Sequence, residues 1–422
     1  MSRLLQSLVV ASSLACLLAG CAQTQGGWMA YQRGDYEGAF ERWSVIAETG
    51  DADAQYLVGV LYDEGRGVPV DREQAAHWYA LSAAQGHAPA QNNLGLCYYE
   101  GAGVDLDHDE ARALFESAAE QGFGAALSNL GVMHLFGQSV DADTARAREL
   151  FSAAAGQGDA KAQRLLGSMF SEGIGVDADH AEAADWFELA ARQGDRVAQY
   201  ELGLCYFLGQ GKPQKNELAE RWFREAAEQD LPQAQYSLAW ISEKGLVDDP
   251  DPEEAAAWYA RAARAGLAVA QTQLGLMHLK GRGIEQSDER AAEWLQRAAE
   301  QGYRVAQYNL GLMYLKGRGV ELDRSQAAHY VAQAAEQGMP LAQSKLGMMY
   351  EMGRGVSQDY AQAYTWYSLA ESLGHEASRE LRERMAHKMT DDQIALAERD
   401  VDAWMVTHAS GLPVENAFLP AR

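Results

Sequence analysis

The dominant feature of the sequence is a pattern of side chains that returns every 36 residues. The dipeptide Ala-Gln marks each return, and Ala126-Leu127 fills the one gap. Glycines recur on the same period, with Asp230 as the single departure. A fixed period of roughly 20–50 residues indicates stacked copies of one small unit, because each copy buries its apolar face against its neighbours. The Ala-Gln pairs begin at Ala54, Ala90, Ala162, Ala198, Ala234, Ala270, Ala306 and Ala342.

One unit has the pattern of two helices joined by a short turn. Leu310, Met313 and Tyr314 fall on one helical face at spacings of three and four residues. Closely spaced glycines then end this first helix, since glycine adopts the left-handed conformation that closes a helix. Asp323 is the residue type that caps the start of a second helix, and Gly338 ends that helix. The repeat therefore predicts an all-α protein built from helix hairpins.

The segment "LMYLKGRGV", Leu312 to Val320, contains the lysine and glycines of a phosphate-binding loop but lacks the context of one. A phosphate loop follows a strand and opens a helix, with Gly-Lys-Ser/Thr at its end. Here the glycines follow a predicted helix, and the lysine precedes them. The segment is therefore predicted to be the turn between two helices.

This pattern resembles the Sel-one-like repeat family, a branch of the tetratricopeptide-repeat superfamily. The family order is Ala, Leu-Gly, aromatic, Gly-x-Gly-Val, Asp, Ala, aromatic and Ala-Ala-x-x-Gly, and residues 306–338 match it nearly throughout. The resemblance implies a right-handed α-solenoid whose first helices line a concave groove for protein partners. The departures are Ser139 and Val247 at the second loop glycine, Ala239 at the helix glycine and Lys215 at the capping Asp.

The chain ends and the resemblance together predict four segments. Polar end units are expected because a terminal repeat lacks a neighbour on one side. Thr390 and Gln393 have the spacing of a capping box for a last helix. The segments are a signal peptide at 1–20, a short tether with an opening cap unit at 21–53, nine repeats of about 36 residues at 54–377, and capping helices with a tail at 378–422.

The beginning of the chain predicts export with a lipid anchor. Arg3 precedes an apolar run from Leu4 to Leu18, which is shorter than the roughly 20 residues of a membrane-spanning helix. The end of the run, Leu-Ala-Gly-Cys21, resembles the lipobox of bacterial lipoproteins, which implies cleavage before Cys21 and a lipid on this residue. The alternative is an ordinary signal peptide with a chance cysteine. Ala22 implies sorting to the outer membrane, so the expected location is its periplasmic face.

Charge and residue content narrow the classes of function. Lys and Arg number 35 against 60 Asp and Glu, a net charge of −25, and so acidic a chain repels the phosphates of nucleic acids. The acidic run that starts at Asp105 lacks the glycine that a calcium loop needs at its sixth position. His134, His278, Cys97 and Cys205 occupy columns that are apolar or aromatic in other units, so they are predicted to be core residues. No metal or cofactor is expected.

The predicted function is a non-enzymatic scaffold that is anchored in the outer membrane and binds a protein or peptide of the cell envelope, for example in exopolysaccharide or secretion assembly. The alternative is the penicillin-binding or β-lactamase-like activity described for cysteine-rich relatives. Those relatives staple each unit with a disulfide, whereas this chain lacks paired cysteines and a recognisable acyl-transfer triad. Turnover of nitrocefin by the purified protein would favour the alternative.

Side chains that vary between units on the first helix are the candidate partner-binding residues. Tyrosines, and large apolar groups at positions that carry a charge in other units, are typical of interface anchors. Packing against the next unit is the open alternative for these positions. The candidates are Tyr56, Tyr99, Leu135, Phe136, Tyr200, Phe207, Leu208, Tyr236, Leu279, Tyr308 and Leu315.

Overall fold

The computed structural model describes residues 24–408. Within that range every regular element is an α-helix, and no strand occurs. None of the described helices combines the length and the apolar character that crossing a bilayer requires. The chain divides after Gln214 into two compact units, which are described separately. In each unit consecutive helices pack against each other, which confirms the predicted all-α architecture of helix hairpins.

The first unit opens with a helix pair, α1 and α2, at the place where the sequence predicts a cap unit. From α3 onward a first helix alternates with a second helix, and each has 12 or 13 residues. The helices of this unit are α1 (Gln25–Gln32), α2 (Tyr36–Glu48), α3 (Ala52–Glu64), α4 (Arg72–Ala83), α5 (Ala88–Glu100), α6 (His108–Glu120), α7 (Gly124–Phe136), α8 (Thr144–Gly156), α9 (Ala160–Glu172), α10 (His180–Arg192) and α11 (Arg196–Leu208).

The second unit begins with α12, which is the second helix of its own repeat, and it ends with two helices that follow the last repeat. The final helix, α22, starts at the predicted capping box: the Thr390 N–H donates to Gln393 Oε1 at 2.9 Å, and the Gln393 N–H donates to Thr390 Oγ1 at 3.3 Å. The helices of this unit are α12 (Asn216–Glu228), α13 (Pro232–Lys244), α14 (Pro252–Arg264), α15 (Ala268–Lys280), α16 (Asp288–Glu300), α17 (Arg304–Lys316), α18 (Arg324–Glu336), α19 (Pro340–Met352), α20 (Tyr360–Ser372), α21 (Ser378–Ala386) and α22 (Asp391–His408).

The turn inside each repeat follows the residues that the pattern predicts. Asp323 is the N-cap of α18, and its Oδ1 accepts two backbone hydrogen bonds at 2.8 and 3.0 Å. Gly317 closes α17 with a φ of 62°. Position 319 requires glycine because a Cβ there would lie 2.1 Å from the carbonyl oxygen of Asp288. The turn is thus pressed against the second helix of the preceding repeat.

Two departures from the pattern keep the backbone conformation of the glycines that they replace, whereas Val247 does not adopt the positive φ of the second loop glycine. Ser139 stands at the second loop glycine with a φ of 60°, and Asp230 stands at the helix-ending glycine with a φ of 58°. Among residues 24–408 these two are the non-glycine residues with positive φ, a conformation that costs an L-residue about 1–2 kcal/mol. Lys215 takes the N-cap position of α12 without a side-chain hydrogen bond. The fold of the repeat therefore imposes the turn even where the preferred residue is absent.

The core of a repeat lies between its two helices and consists of alanines around one large side chain. The glycine of the Leu-Gly motif faces this side chain. A Cβ on Gly95 would lie 2.7 Å from the Phe115 ring, and a Cβ on Gly347 would lie 2.8 Å from the Tyr367 ring. Both rings are at most 1% exposed. Glycine in the first helix therefore makes room for a ring on the second helix.

The glutamine of the Ala-Gln signature ties three helices together. The Gln307 Nε2 donates to the Ala299 carbonyl oxygen at 3.3 Å, at the end of α16, and its Oε1 accepts a hydrogen bond of 2.8 Å from Gln337 Nε2, at the end of α18. We call this series of paired amides the glutamine ladder. It recurs at Gln55–Gln85, Gln91–Gln121, Gln163–Gln193 and Gln271–Gln301.

The glutamine ladder is interrupted where the second amide is missing from the sequence. Ala265 and Leu373 stand where Gln301 stands in its own repeat. The Oε1 atoms of Gln235 and Gln343, which those positions would serve, are buried and have no hydrogen-bond partner among the described residues. An unsatisfied buried acceptor is costly, so these two repeats carry a local defect.

Candidate partner-binding surface

The tyrosine column of the predicted groove is mostly buried. Tyr56 and Tyr236 are 2% and 1% exposed, Tyr200 is also buried, and Tyr308 is half-buried. The prediction that Tyr56, Tyr200 and Tyr236 present contact surface to a partner is therefore wrong.

The stacking of the repeats explains this burial. The Tyr56 ring centroid lies 5.0 Å from that of His87, which is the N-cap of the next first helix. In the same column of the repeat, Arg164 donates from Nε to Asp195 Oδ2 at 3.2 Å, and Asp195 is again the N-cap of the next first helix. This column therefore belongs to the contact between successive repeats.

A second column of candidates is half-buried and has a mixed role. Leu135, Leu279 and Leu315 pack against the hydrophobic core that follows them in the chain and keep part of their surface in solvent. The Tyr99 hydroxyl donates to Gln138 Oε1 in the turn of the next repeat. These side chains lie at the border between packing and surface. The candidates in this column are Tyr99, Leu135, Phe207, Leu279 and Leu315.

The last residue of each first helix is the most accessible of the predicted positions. Phe136 is 68% exposed and Leu208 is 39% exposed, so both remain candidate groove residues. Met352, which was not among the candidates although it shares the column, is 46% exposed. We call this set of helix-end positions the edge column. Its members are Glu64, Glu100, Phe136, Glu172 and Leu208 in the first unit and Lys244, Lys280, Lys316 and Met352 in the second unit.

A chain of polar side chains crosses three first helices of the first unit and was not predicted. The Asn129 Nδ2 donates to Asn92 Oδ1 at 2.9 Å, and the Lys161 Nζ donates to Asn129 Oδ1 at 2.8 Å. Burial lowers the pKa of Lys161 to about 8. Asn129 is buried and Lys161 is half-buried, so this group is mainly a contact between repeats.

The histidines and cysteines that the sequence predicts to be core residues are buried or half-buried. His278 is 3% exposed, and its Nδ1 lies 3.0 Å from the Glu285 carbonyl oxygen; His134 is half-buried. Burial raises the pKa of the Cys97 and Cys205 thiols to about 12. Within residues 24–408 no three His, Cys, Asp or Glu side chains are grouped to hold a metal ion.

Two further sequence hypotheses are clarified by the geometry. Asp107, in the acidic run that resembles a calcium loop, is the N-cap of α6 and accepts from two backbone N–H groups. Cys97 and Cys205 are free thiols, so they do not form the repeat-by-repeat disulfides on which the penicillin-binding alternative depends. The predicted lipidation residue, Cys21, lies outside the described residues.

Comparison with known proteins identifies the repeat. A search of curated proteins finds no match. Among solved structures, a protective antigen of uropathogenic Escherichia coli that displays an SLR fold has 31% identity and a TM-score of 0.50, and the match covers 98% of this chain and 99% of that one. A Sel1 repeat protein from Oxalobacter formigenes has 32% identity and a TM-score of 0.53, over 73% of this chain and 89% of that one. The profile of the Sel1 repeat matches residues 52–87, 88–123, 124–159, 160–195, 196–231, 232–267, 268–303, 304–339 and 340–375. The chain therefore belongs to the Sel1 repeat family of helical scaffolds for protein interaction.

Proposed function

We propose that this protein is a lipid-anchored scaffold of the bacterial cell envelope that holds a protein partner against its first helices. Residues 1–20 direct export, and Cys21 carries the lipid at the periplasmic face of the outer membrane. From Cys21 to Gln25, where α1 begins, the chain has four steps, which reach about 14 Å at most. The first helices therefore begin close to the membrane surface.

The observation that supports partner binding best is the contrast between the edge column and the core. Successive repeats agree at buried alanines, capping residues and turn glycines, but they differ in charge and size along the edge column. In the first unit Phe136 is 68% exposed, at a position of the edge column that holds glutamate in other repeats. An exposed large apolar side chain favours contact with a partner. The likeness to a protein described as a protective antigen favours the proposed location in the cell envelope.

Lipid anchoring is tested by palmitate labelling and membrane fractionation of cells that express the chain or its Cys21→Ser variant. We expect label and outer-membrane location for the natural chain, and loss of both for the variant. Release of the unlabelled natural chain into the periplasm would instead support an ordinary signal peptide.

Partner binding is tested by affinity capture from envelope extracts with two double variants. Phe136→Glu with Leu208→Glu places charge in the edge column, and Leu81→Glu with Leu189→Glu makes the same change at second-helix leucines that are 39% and 46% exposed. We expect one envelope protein to be enriched by the natural chain and by the second-helix variant, and to be lost with the edge variant. Capture that is equally lost or equally kept in both variants would contradict binding at the edge column.

A further inference from the structure

The second unit has a cationic first-helix edge although the whole chain is strongly acidic. Lys244, Lys280 and Lys316 are the last residues of α13, α15 and α17, and all three side chains are exposed. Neither α15 nor α17 contains an acidic residue. Residues 270–341 as a whole contain eight basic and eight acidic side chains, so the acidic ones lie on the second helices and in the turns. The first helices α15 and α17 therefore carry cations and no acidic side chain, although α13 contains Glu243 and further cations lie on the second helices and in the turns.

These lysines are not engaged within the protein. In the part of the chain that the structure describes, no carboxylate oxygen lies within 4.0 Å of any of the three ammonium groups. The neighbouring turn arginines are paired: Arg282 Nη1 lies 3.1 Å from Glu243 Oε1, and Arg318 Nε lies 2.6 Å from Asp288 Oδ2. The lysine ammonium groups thus remain available to an external anion.

Helix stability does not account for three successive lysines. A cation at a helix C-terminus is favoured by the helix dipole, and an anion there is disfavoured. In the first unit the same position is nevertheless occupied by Glu64, Glu100 and Glu172. The repeat therefore tolerates either sign at this position, so the helix dipole favours lysine there without requiring it.

The surroundings of the lysines favour a peptide as the anion. The Arg318 Nη2 donates to the Leu279 carbonyl oxygen at 2.9 Å, so the turn after α17 touches the end of α15. Packed helices lie roughly 8–10 Å apart, and we take this value for the distance between the ends of successive first helices. Exposed Met352 lies in the edge column, and half-buried Leu279 and Leu315 lie next to it. Aliphatic groups between cations suit a chain with apolar and acidic side chains better than a polysaccharide, which has no aliphatic side chains to bury there.

We propose that Lys244, Lys280 and Lys316 bind an extended acidic segment of the partner protein, with a carboxylate at every third residue. A polyproline II segment has three residues per turn and advances about 3.1 Å per residue, so successive turns match successive repeats. The proposal rests on the scaffold function and adds the site and the chemistry of the partner. The leucines and Met352 contact the apolar residues of the segment.

The test is the binding of fluorescent (Glu-Leu-Pro)4 and (Lys-Leu-Pro)4 peptides to the full-length chain, measured by anisotropy at low and high salt. The triple variant Lys244→Glu, Lys280→Glu, Lys316→Glu removes the site. The matched control makes the same charge change at exposed second-unit arginines, Arg264→Glu, Arg290→Glu and Arg324→Glu. A neutral variant with glutamine at the three lysines serves as a second test should the reversal disturb folding, which thermal denaturation will report.

We expect the glutamate peptide to bind at least about 10-fold more weakly to the lysine variants than to the natural chain. Its affinity for the arginine control should differ from that of the natural chain by less than about 2-fold, and salt should weaken its binding. Equal loss in both charge-reversal variants, or no binding of the glutamate peptide to the natural chain, would overturn the proposal. Preference for a sulfated polysaccharide over the glutamate peptide would also overturn it. An envelope partner that is still captured by the lysine variant refutes this site but leaves the scaffold function intact, whereas the absence of any captured partner refutes the scaffold function.

Discussion

The Tyr259 hydroxyl donates a hydrogen bond of 3.0 Å to Glu243 Oε2, and this bond joins the second helix of the sixth repeat to its first helix. The same arrangement occurs in the ninth repeat, where the Tyr367 hydroxyl lies 2.9 Å from Glu351 Oε2. Burial and the adjacent carboxylate hold the pKa of both tyrosines well above the usual range. In the two repeats between them, both positions are apolar: Leu279 with Leu295, and Leu315 with Val331. In these four repeats, the two positions are thus polar together or apolar together.

This pairing predicts strong coupling between the two residues. Glu243→Leu leaves the buried Tyr259 hydroxyl without its acceptor, and Tyr259→Phe leaves the carboxylate with one donor fewer. We expect each single change to cost about 1–3 kcal/mol of unfolding free energy, while the double change, which copies an apolar repeat, costs clearly less than their sum. Urea denaturation of the four proteins in a double-mutant cycle measures the coupling. Additive effects would show that the two positions are independent.

The glutamine ladder predicts a gain of stability at the interrupted step. Ala265 is exposed and has helical backbone angles like those of Gln301, so Ala265→Gln introduces a donor for the unsatisfied Gln235 Oε1. We expect a gain of about 0.5–1.5 kcal/mol, the usual net value of one hydrogen bond.

The control for this prediction is Gln157→Ala. The ladder position opposite Gln157 is Leu127, so this change removes no amide pair and is expected to be nearly neutral. Gln301→Ala, which breaks an existing pair, should destabilise the protein. Denaturation midpoints of the three variants check the order, and a neutral Ala265→Gln would mean that the ladder adds no stability.

The substitution of glycine by alanine is expected to cost different amounts of stability at two turn glycines. Gly283 and Gly302 both have positive φ, at 68° and 83°. A Cβ on Gly283 would lie 1.9 Å from the Pro252 carbonyl oxygen, whereas a Cβ on Gly302 would meet no atom within 4 Å. Gly302→Ala should therefore cost about 1–2 kcal/mol from the backbone conformation alone. Gly283→Ala should cost clearly more, since the turn must move away from α14. Equal thermal shifts would contradict the close approach.

Lys161 predicts a pH dependence of stability on the alkaline side. Burial lowers its pKa from 10.5 to about 8, so between these values the unfolded chain binds more protons than the folded one. The contribution of Lys161 to the unfolding free energy therefore rises with pH through this window, and its full burial penalty is present below pH 8. We expect the stability gained by Lys161→Met relative to the natural chain to be largest near pH 7 and to shrink toward pH 10. A difference that does not vary with pH would show that Lys161 is not desolvated.

The helices, turns and caps are predictable because each is encoded within one repeat. Asp323, Gly317 and the capping box at Thr390 act on backbone groups a few residues away, and their chemistry is visible in any single unit. Even Ser139 and Asp230 could be placed, because the period assigns them to glycine positions.

The candidate surface was predicted less well because it depends on how one repeat meets the next. Tyr56 is a typical interface residue, but whether its side of the helix faces solvent or the following N-cap is set by the angle between repeats. The polar chain through Asn92, Asn129 and Lys161 was missed for a related reason. Its hydrogen bonds join residues 37 and 32 positions apart, which is not the period of the repeat.

The central claim, that a partner meets the first helices, is tested most directly by site-specific photo-crosslinking in living cells. A benzoylphenylalanine is placed at Phe136 or Leu208 in the edge column, and at Leu81 or Leu189 on exposed second helices as controls. The proposed function predicts one discrete protein adduct from the edge positions and none from the second helices. Adducts only from the second helices, or none from either set, would contradict it.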